Sequence, residues 1–123
     1  MRIIIILLLF MTSLMSAQNL KSYQWKNRIV LLFGKASSET FKKQQKLFKD
    51  EHSAIVERDM LIMNAEENLK SKLSLKPGFE GVVLIGKDGT VKFSEEFLVD
   101  PKILFSLIDS MPMRKVEMRR KKG

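Results

Sequence analysis

The sequence predicts an α/β domain in which helices flank a four-stranded sheet with both parallel and antiparallel strand pairs. Short, continuous apolar runs at 29–33, 60–63 and 82–85 are typical of strands that are buried on both faces. A long segment with helical spacing separates the first two runs, which favours a parallel crossover. Asp88-Gly89 separates the third run from a fourth at 90–93, and this dipeptide is a strong hairpin signal, which indicates an antiparallel pair.

The first helix is expected directly after the first strand. Ser37 or Ser38 can cap a helix that begins near Glu39, because a serine hydroxyl accepts a hydrogen bond from a free N–H of the first turn. Apolar residues then recur at helical spacing and predict its inner face, namely Phe41, Phe48 and Ile55. Gln45 and His52 fall on the same stripe, so we expect both to be hydrogen-bonded in the core or at its boundary.

Two further helices complete the predicted order. The polar segment 64–75 is expected to be helical, with Lys76-Pro77-Gly78 ending it. Asp100 caps the last helix and Pro101 occupies its first turn. The predicted inner face of this helix consists of Ile103, Leu104, Leu107, Ile108 and Met111. Pro112 should end it near Met111, and the resulting order, β-α-β-α-β-β-α, is the thioredoxin-like layout.

The first 17 residues have the composition of a secretory signal peptide. Met1-Arg2 is followed by an apolar run from Ile3 to Phe10 and then by small and polar residues up to Ala17. The run is shorter than the roughly 20 apolar residues of a membrane span. We therefore expect cleavage after Ala17, no transmembrane span afterwards, and an exported protein that is periplasmic or secreted, with one domain at 18–113.

The positive charge of the chain is concentrated at its C-terminus. The formal net charge is +8, and residues 114–123 contribute six Lys/Arg and one Glu, which is +5. This basic tail favours an envelope protein, an acidic glycan or anionic lipid as a partner, since each basic residue near an anionic membrane contributes about 1 kcal/mol. The alternative is a disordered, solubilising end. We expect no nucleic acid partner, because an exported protein seldom meets any.

Four motifs together resemble one family. They are Tyr23-x-Trp25-Lys26-Asn27-Arg28, Arg58-Asp59, Ile85-Gly86-Lys87-Asp88-Gly89-x-x-Lys92 and Ile108-Asp109-x-Met111-Pro112-Met113-Arg114. They are similar to those of the prokaryotic DUDES family (P-DUDES), bacterial relatives of a domain found in animal extracellular proteins such as equarin and the sushi-repeat proteins. The resemblance covers about residues 20–119. It implies a thioredoxin-like fold and export, and it leaves the function open, because no biochemical activity is established for the bacterial group.

The chain contains no cysteine, which excludes the usual chemistry of this fold. By analogy with thioredoxins, the position of the redox cysteines is occupied here by the segment that contains Ser37, Ser38 and Phe41. Because the thiolate is the nucleophile in such reactions, the protein cannot be a thiol-disulfide oxidoreductase, a disulfide isomerase or a thiol peroxidase. His52 is the single histidine, and we expect neither a metal nor a cofactor.

The charged residues within the motifs are the candidate ligand-binding residues. They are Arg28, Arg58, Asp59, Lys87, Asp88, Lys92 and Arg114. One interpretation is a structural network of ion pairs that joins strand ends to the last segment. The other is a pocket that grips an acidic ligand through guanidinium groups, with Trp25 as its wall or as a core anchor. We therefore expect a non-enzymatic binding or interaction module, with an enzyme or a sensor of a small acidic ligand as the alternative.

Overall fold

The computed structural model describes residues 20–122, so the predicted signal peptide at 1–17 lies outside the described residues. A 3₁₀ turn at Leu20–Tyr23 precedes the strands and helices. In chain order these are β1 (Arg28–Phe33), α1 (Glu39–Lys49), α2 (His52–Glu57), β2 (Met60–Asn64), α3 (Leu69–Lys72), β3 (Gly81–Ile85), β4 (Val91–Glu96), α4 (Pro101–Asp109) and α5 (Pro112–Lys122).

The four strands form one mixed sheet in the order β2-β1-β3-β4. β1 and β2 are parallel, whereas β3 is antiparallel to both β1 and β4. β1 and β3 occupy the centre, and all of their residues are buried, as their continuous apolar sequences predicted. The predicted fold class is therefore confirmed, and the arrangement is consistent with a thioredoxin-like fold.

Helices and loops cover both faces of the sheet. Val30 and Leu32 of β1 point into one core, where they pack with Phe48 and Leu104. Helices α1, α2 and α4 cover this core. The alternate residues of the same strand lie on the opposite face, in a second core under the 3₁₀ turn, α3 and the loop that follows it; they are Ile29, Leu31 and Phe33. This alternation follows from the two-residue repeat of a β-strand.

The predicted long first helix is in fact two helices. Glu51 leaves helical geometry, with φ −108° and ψ 30°, and separates α1 from α2. The inner-face prediction is nevertheless confirmed, because Phe41, Phe48 and Ile55 are all buried. The prediction for His52 is wrong: this residue begins α2 directly after the break, and it is exposed beside an open groove of about 520 Å³ along β2.

Gln44, rather than Gln45, is the buried polar residue of α1. Gln44 is fully buried, its Nε2 donates to the carbonyl of Val99 at 2.8 Å, and its Oε1 accepts from the N–H of Val99 at 2.7 Å. Gln45 is half-buried, and its Nε2 donates to Asn64 Oδ1 at 3.0 Å. Gln44 therefore ties α1 to the loop before α4 through a fully satisfied pair of hydrogen bonds.

The segments after β2 and after β4 also differ from the prediction. Only Leu69–Lys72 is helical in the segment 64–75. The last predicted helix, α4, ends at Asp109 rather than near Met111. Ile103 was predicted on its inner face but is 53% exposed, and Phe105 is buried in the core instead.

The segment predicted as a basic tail is mostly helix α5. Pro112 is the first residue of this helix. At that position the N–H that proline lacks would have no partner within the helix, and the fixed φ of proline suits a helix. The interpretation of this end as disordered is therefore wrong for residues up to 122. Within residues 20–122, none of the helices has both the length and the apolar composition that a bilayer span requires.

Candidate functional site at the edge of the sheet

The candidate charged residues meet at one edge of the sheet because three strand ends meet there. Arg28 begins β1, Asp59 directly precedes the parallel strand β2, and Lys87 follows the antiparallel strand β3. Parallel strands begin at the same edge, and an antiparallel neighbour ends there. The N–H of Arg28 donates to the carbonyl of Asp59 at 2.9 Å, which fixes the first two of these ends together.

The first ion-pair cluster joins this edge to α5 through Glu117. Arg28 Nη1 donates to both carboxylate oxygens of Glu117 at 3.2 Å, and Lys87 Nζ donates to Glu117 Oε1. Lys87 Nζ also donates to Asp59 Oδ2 at 2.9 Å. The side chain of Arg28 is only 1% exposed, so Glu117 supplies the countercharge of a buried guanidinium.

The second ion-pair cluster joins α2, α4 and α5. Arg58 grips Asp109 with two hydrogen bonds, from Nε at 3.1 Å and from Nη2 at 2.8 Å. Arg114 Nε donates to the same carboxylate at 3.2 Å, and Arg114 Nη2 donates to Glu57 Oε1 at 3.3 Å. The Arg58 guanidinium also lies 4.8 Å from the ring centre of Phe105, within the range of a cation–π contact.

The pKa values of the two central carboxylates reflect their cationic partners. Burial by itself raises the pKa of Glu117, but the hydrogen bond from Lys87 and the charge of Arg28 outweigh burial, so this pKa lies below its ordinary value. Burial likewise raises the pKa of Asp109, and the hydrogen bonds from Arg58 and Arg114 bring it below its ordinary value. Both groups are therefore ionised at neutral pH and balance the guanidinium charges.

The charges of these two clusters cancel within the described residues. The cations are Arg28, Arg58, Lys87 and Arg114, and the carboxylates are Glu57, Asp59, Asp109 and Glu117. The structure thus brings the sequence-predicted arginines together, but each guanidinium is already bound by a carboxylate of the same chain. This is the structural ion-pair network of the first interpretation, and an acidic ligand would have to displace a carboxylate to enter it.

Among the described residues, Lys92 shares no ion pair with either cluster, although it lines the same cavity of about 270 Å³ as Arg28 and Lys87. Its Nζ donates to Asp88 Oδ2 at 2.9 Å, and Asp88 also accepts from the N–H and the hydroxyl of Thr90. The hydrogen bond from Lys92, helped by those from Thr90, lowers the pKa of Asp88 to about 2. These contacts shape the hairpin turn, in which Gly89 adopts a φ of 85°.

Trp25 is neither a pocket wall nor a core anchor. Its side chain is 63% exposed, and its backbone has a φ of 69°, a left-handed conformation that costs a residue with a Cβ roughly 1–2 kcal/mol. The turn is held in place because the N–H of Trp25 donates to the carbonyl of Lys87 at 2.6 Å, while Lys26 and Asn27 both donate to the carbonyl of Tyr23. The protein therefore presents a large apolar ring to solvent on a fixed and strained turn.

The position analogous to a redox site holds a helix cap and packed aromatic rings. Ser38 Oγ accepts from the N–H of Phe41 at 3.4 Å, and Ser37 is exposed. Phe41 is buried edge-on against Phe97, with ring centres 5.9 Å apart. A Cβ on Gly34 would lie 2.8 Å from Phe41 and 2.9 Å from Phe97, so these rings fill the space beside the loop.

Helix α5 divides its charges between two faces. The inner face carries the residues that bind the rest of the domain, namely Arg114, Glu117 and Lys121. The outer face carries three exposed basic residues, Lys115, Arg119 and Arg120. In the described part of the chain, no ion pair joins these three side chains to a carboxylate. Exposed Met113 and Val116 lie among them on the same outer side.

Sequence reasoning missed Glu117, which is the centre of the first cluster. The spacing of Arg114, Glu117 and Lys121 is i, i+3, i+7, so these residues share one face of a helix. This spacing is visible in the sequence, but it has a meaning only for a helix, and the segment was interpreted as a tail. Among residues 20–122, no group of three or more His, Asp or Glu side chains is placed to hold a metal ion.

Comparison with known proteins gives a family match for part of the chain. No solved structure matches the chain significantly. A family model described as a domain of unknown function, DUF4174, matches residues 63–117, which extend from the end of β2 into α5 and include Lys87, Lys92, Asp109, Arg114 and Glu117. The C-terminal half of the domain, with half of the residues of the two ion-pair clusters, is therefore similar to a family of domains of unknown function.

Proposed function

We propose that this protein is an exported, non-enzymatic interaction domain of the P-DUDES type, which binds an anionic surface of the cell envelope through the outer face of α5. The observation that carries the proposal is the division of charge on this helix. Its inner basic residues are paired within the domain, whereas Lys115, Arg119 and Arg120 are exposed and have no carboxylate partner among residues 20–122. Unpaired cations on one face attract closely spaced anionic groups.

Anchoring of α5 supports this role. Arg114 is 1% exposed and reaches the carbonyl of Glu57 at 3.3 Å, and Lys121 Nζ donates to the same carbonyl at 3.1 Å. Glu117 adds the contacts with Arg28 and Lys87. Because α5 is fixed at several points along its length, its outer basic residues have a defined spacing and lose less conformational entropy on binding than a flexible tail would.

The charged network itself does not favour an enzyme or a sensor. Arg28, Arg58 and Arg114 each already bind a carboxylate of the chain. A ligand carboxylate would gain a partner only by leaving one of these side chains without its own. The network is better suited to hold α5 in position than to bind a small acidic molecule.

The test compares two triple variants that remove the same charge. The outer-face variant carries Lys115→Gln, Arg119→Gln and Arg120→Gln. The control variant carries Lys43→Gln, Lys46→Gln and Lys49→Gln on the exposed side of α1. Binding is measured at low salt by sedimentation with vesicles that contain phosphatidylglycerol and by retention on an immobilised acidic polysaccharide.

The outer-face variant should bind far less than the control. Three residues at about 1 kcal/mol each correspond to a loss of roughly 100-fold. Binding should also weaken with salt, because the interaction is electrostatic. Equal binding by the two variants on both surfaces would show that net charge, rather than α5, is responsible, and would refute the proposal. Loss on one surface alone would identify the partner.

Export is tested separately on the protein expressed with residues 1–17 in a bacterial host. The proposal expects the protein in the periplasm or the medium, with Gln18 as its first residue by intact mass. A cytoplasmic protein that retains Met1 or Arg2 would refute export without affecting the binding proposal.

A further inference from the structure

Three exposed apolar side chains lie on α5 and on the turn before β1. They are Trp25, Met113 and Val116. Trp25 and Met113 come from distant parts of the chain and are both neighbours of Lys87. The N–H of Trp25 donates to the carbonyl of Lys87, while Lys87 and Met113 line one cavity of about 270 Å³ at the start of α5. We name Trp25, Met113 and Val116 the apolar patch.

Basic side chains neighbour the members of the apolar patch in the chain or on the helix surface. Lys26 follows Trp25 directly and is exposed. At 100° per residue, the exposed side chains of α5 follow one another around the helix in the order Lys115, Arg119, Val116, Arg120 and Met113, so that Val116 lies between Arg119 and Arg120. Apolar side chains set among cations are the composition of a surface that lies in the interface of an anionic bilayer. An acidic polysaccharide can stack a sugar ring on Trp25, but it offers no apolar environment to Met113 and Val116, whereas a bilayer interface offers one to all three side chains.

We infer that the anionic surface bound by α5 is a lipid bilayer and that Trp25 inserts into its interface. This inference rests on the proposed function and names its partner. An indole has an apolar ring and an N–H donor, and tryptophan is enriched at the level of lipid headgroups for that reason. The position of Trp25 also fits, since its ring is exposed on a turn that Lys87 fixes through the backbone, next to the helix that carries the cations.

The intrinsic fluorescence of the protein tests this inference directly, because Trp25 is the single tryptophan of the chain. The full chain without residues 1–17 is titrated with phosphatidylglycerol vesicles, with neutral phosphatidylcholine vesicles and with an acidic polysaccharide. The inference expects a blue shift of the emission and quenching by brominated lipid with the first vesicles only. Emission that stays unshifted while the protein sediments with anionic vesicles would overturn it and would leave the proposed function intact.

Two variants separate insertion from folding. Trp25→Ala should weaken sedimentation with anionic vesicles by at least roughly tenfold, because it removes a large apolar side chain from the interface. Ile103→Ala removes a similarly exposed apolar side chain from α4 and should bind as the unchanged protein does. Similar binding by both variants would overturn the inference.

Circular dichroism shows whether either variant has lost its fold. If Trp25→Ala loses helicity, Trp25→Phe replaces it, and the expected result is intermediate binding. A blue shift that grows with protein concentration in the absence of lipid would mean that a second copy of the chain covers the patch, which would also overturn the inference.

Discussion

Substitution of Glu117 tests whether the charged network holds α5 to the sheet. Glu117 is the carboxylate partner of Arg28, whose side chain is 1% exposed, whereas Lys87 keeps a second carboxylate, Asp59. In Glu117→Gln, the guanidinium of Arg28 stays buried and retains the hydrogen bond from Nη1 to the carbonyl of Arg58 at 2.9 Å. Its Nε has no hydrogen-bond partner among residues 20–122 even in the unchanged protein. The variant therefore leaves a buried cation without a countercharge.

Leaving a buried charge unpaired in this way typically costs about 3–5 kcal/mol. The amide of glutamine retains one acceptor, so we expect a loss near the lower limit, about 3 kcal/mol, for Glu117→Gln. A domain of this size has a total free energy of unfolding of roughly 5–15 kcal/mol, so the loss is a large fraction of it. Urea unfolding at pH 7, followed by circular dichroism, measures the change as a lower midpoint with an unchanged slope.

Glu95→Gln is the matched control, because Glu95 is exposed on β4 and the substitution removes the same charge from a side chain in solvent. It should change the free energy of unfolding by less than about 0.5 kcal/mol. The double variant Arg28→Met, Glu117→Leu should regain much of the loss, since replacing both members of a buried pair by apolar residues is often neutral. Equal stability of Glu117→Gln and Glu95→Gln would show that Arg28 does not depend on this carboxylate.

Two further predictions concern pH and the core. The folded-state pKa values of Glu117 and Asp109 lie below the ordinary 4.5 and 3.8, so stability is full above those values and declines as the pH falls through the folded values. The urea midpoint should be lower at pH 3.5 than at pH 7. The drop should be smaller in the double variant Glu117→Gln, Asp109→Asn, which lacks both carboxylates. An equal drop in the midpoint of the two proteins would contradict the role of these carboxylates. Gln44→Leu leaves both backbone groups of Val99 unbonded and should cost about 2–4 kcal/mol by thermal unfolding. Gln45→Leu should cost much less, and similar losses would contradict the role of Gln44.

Much of the site was visible in the sequence as residue types but not as contacts. The motifs pointed to Arg28, Arg58, Lys87 and Arg114, and the structure brings these four to one edge of the sheet. Their partners were harder to find, because a carboxylate on a segment of unknown conformation has no predictable direction. Glu117 reaches Arg28 because it lies on the helix that Pro112 begins, and the sequence interpretation did not include that helix.

The exposure of single residues on amphipathic helices was the least predictable feature. Gln45 is half-buried and hydrogen-bonded, as expected at the boundary of the core, but helical periodicity from Phe41 to Ile55 did not show that its neighbour Gln44 is fully buried. His52 was misplaced because the helical periodicity was continued through Glu51, where the helix is in fact interrupted. Neither the burial of Gln44 nor the exposure of His52 is visible in the composition, since both depend on how α1 and α2 pack on the sheet.

The sequence by itself determined the sheet, the excluded chemistry and the concentration of positive charge near the C-terminus. Continuous apolar runs need burial on both faces, and a chain without cysteine has no thiolate, so neither conclusion depended on coordinates. Only the tertiary structure decided which charges are used within the domain. Arg114 and Arg119 are the same residue type five positions apart, yet one is buried in an ion-pair cluster and the other faces solvent, because a helix points them in different directions.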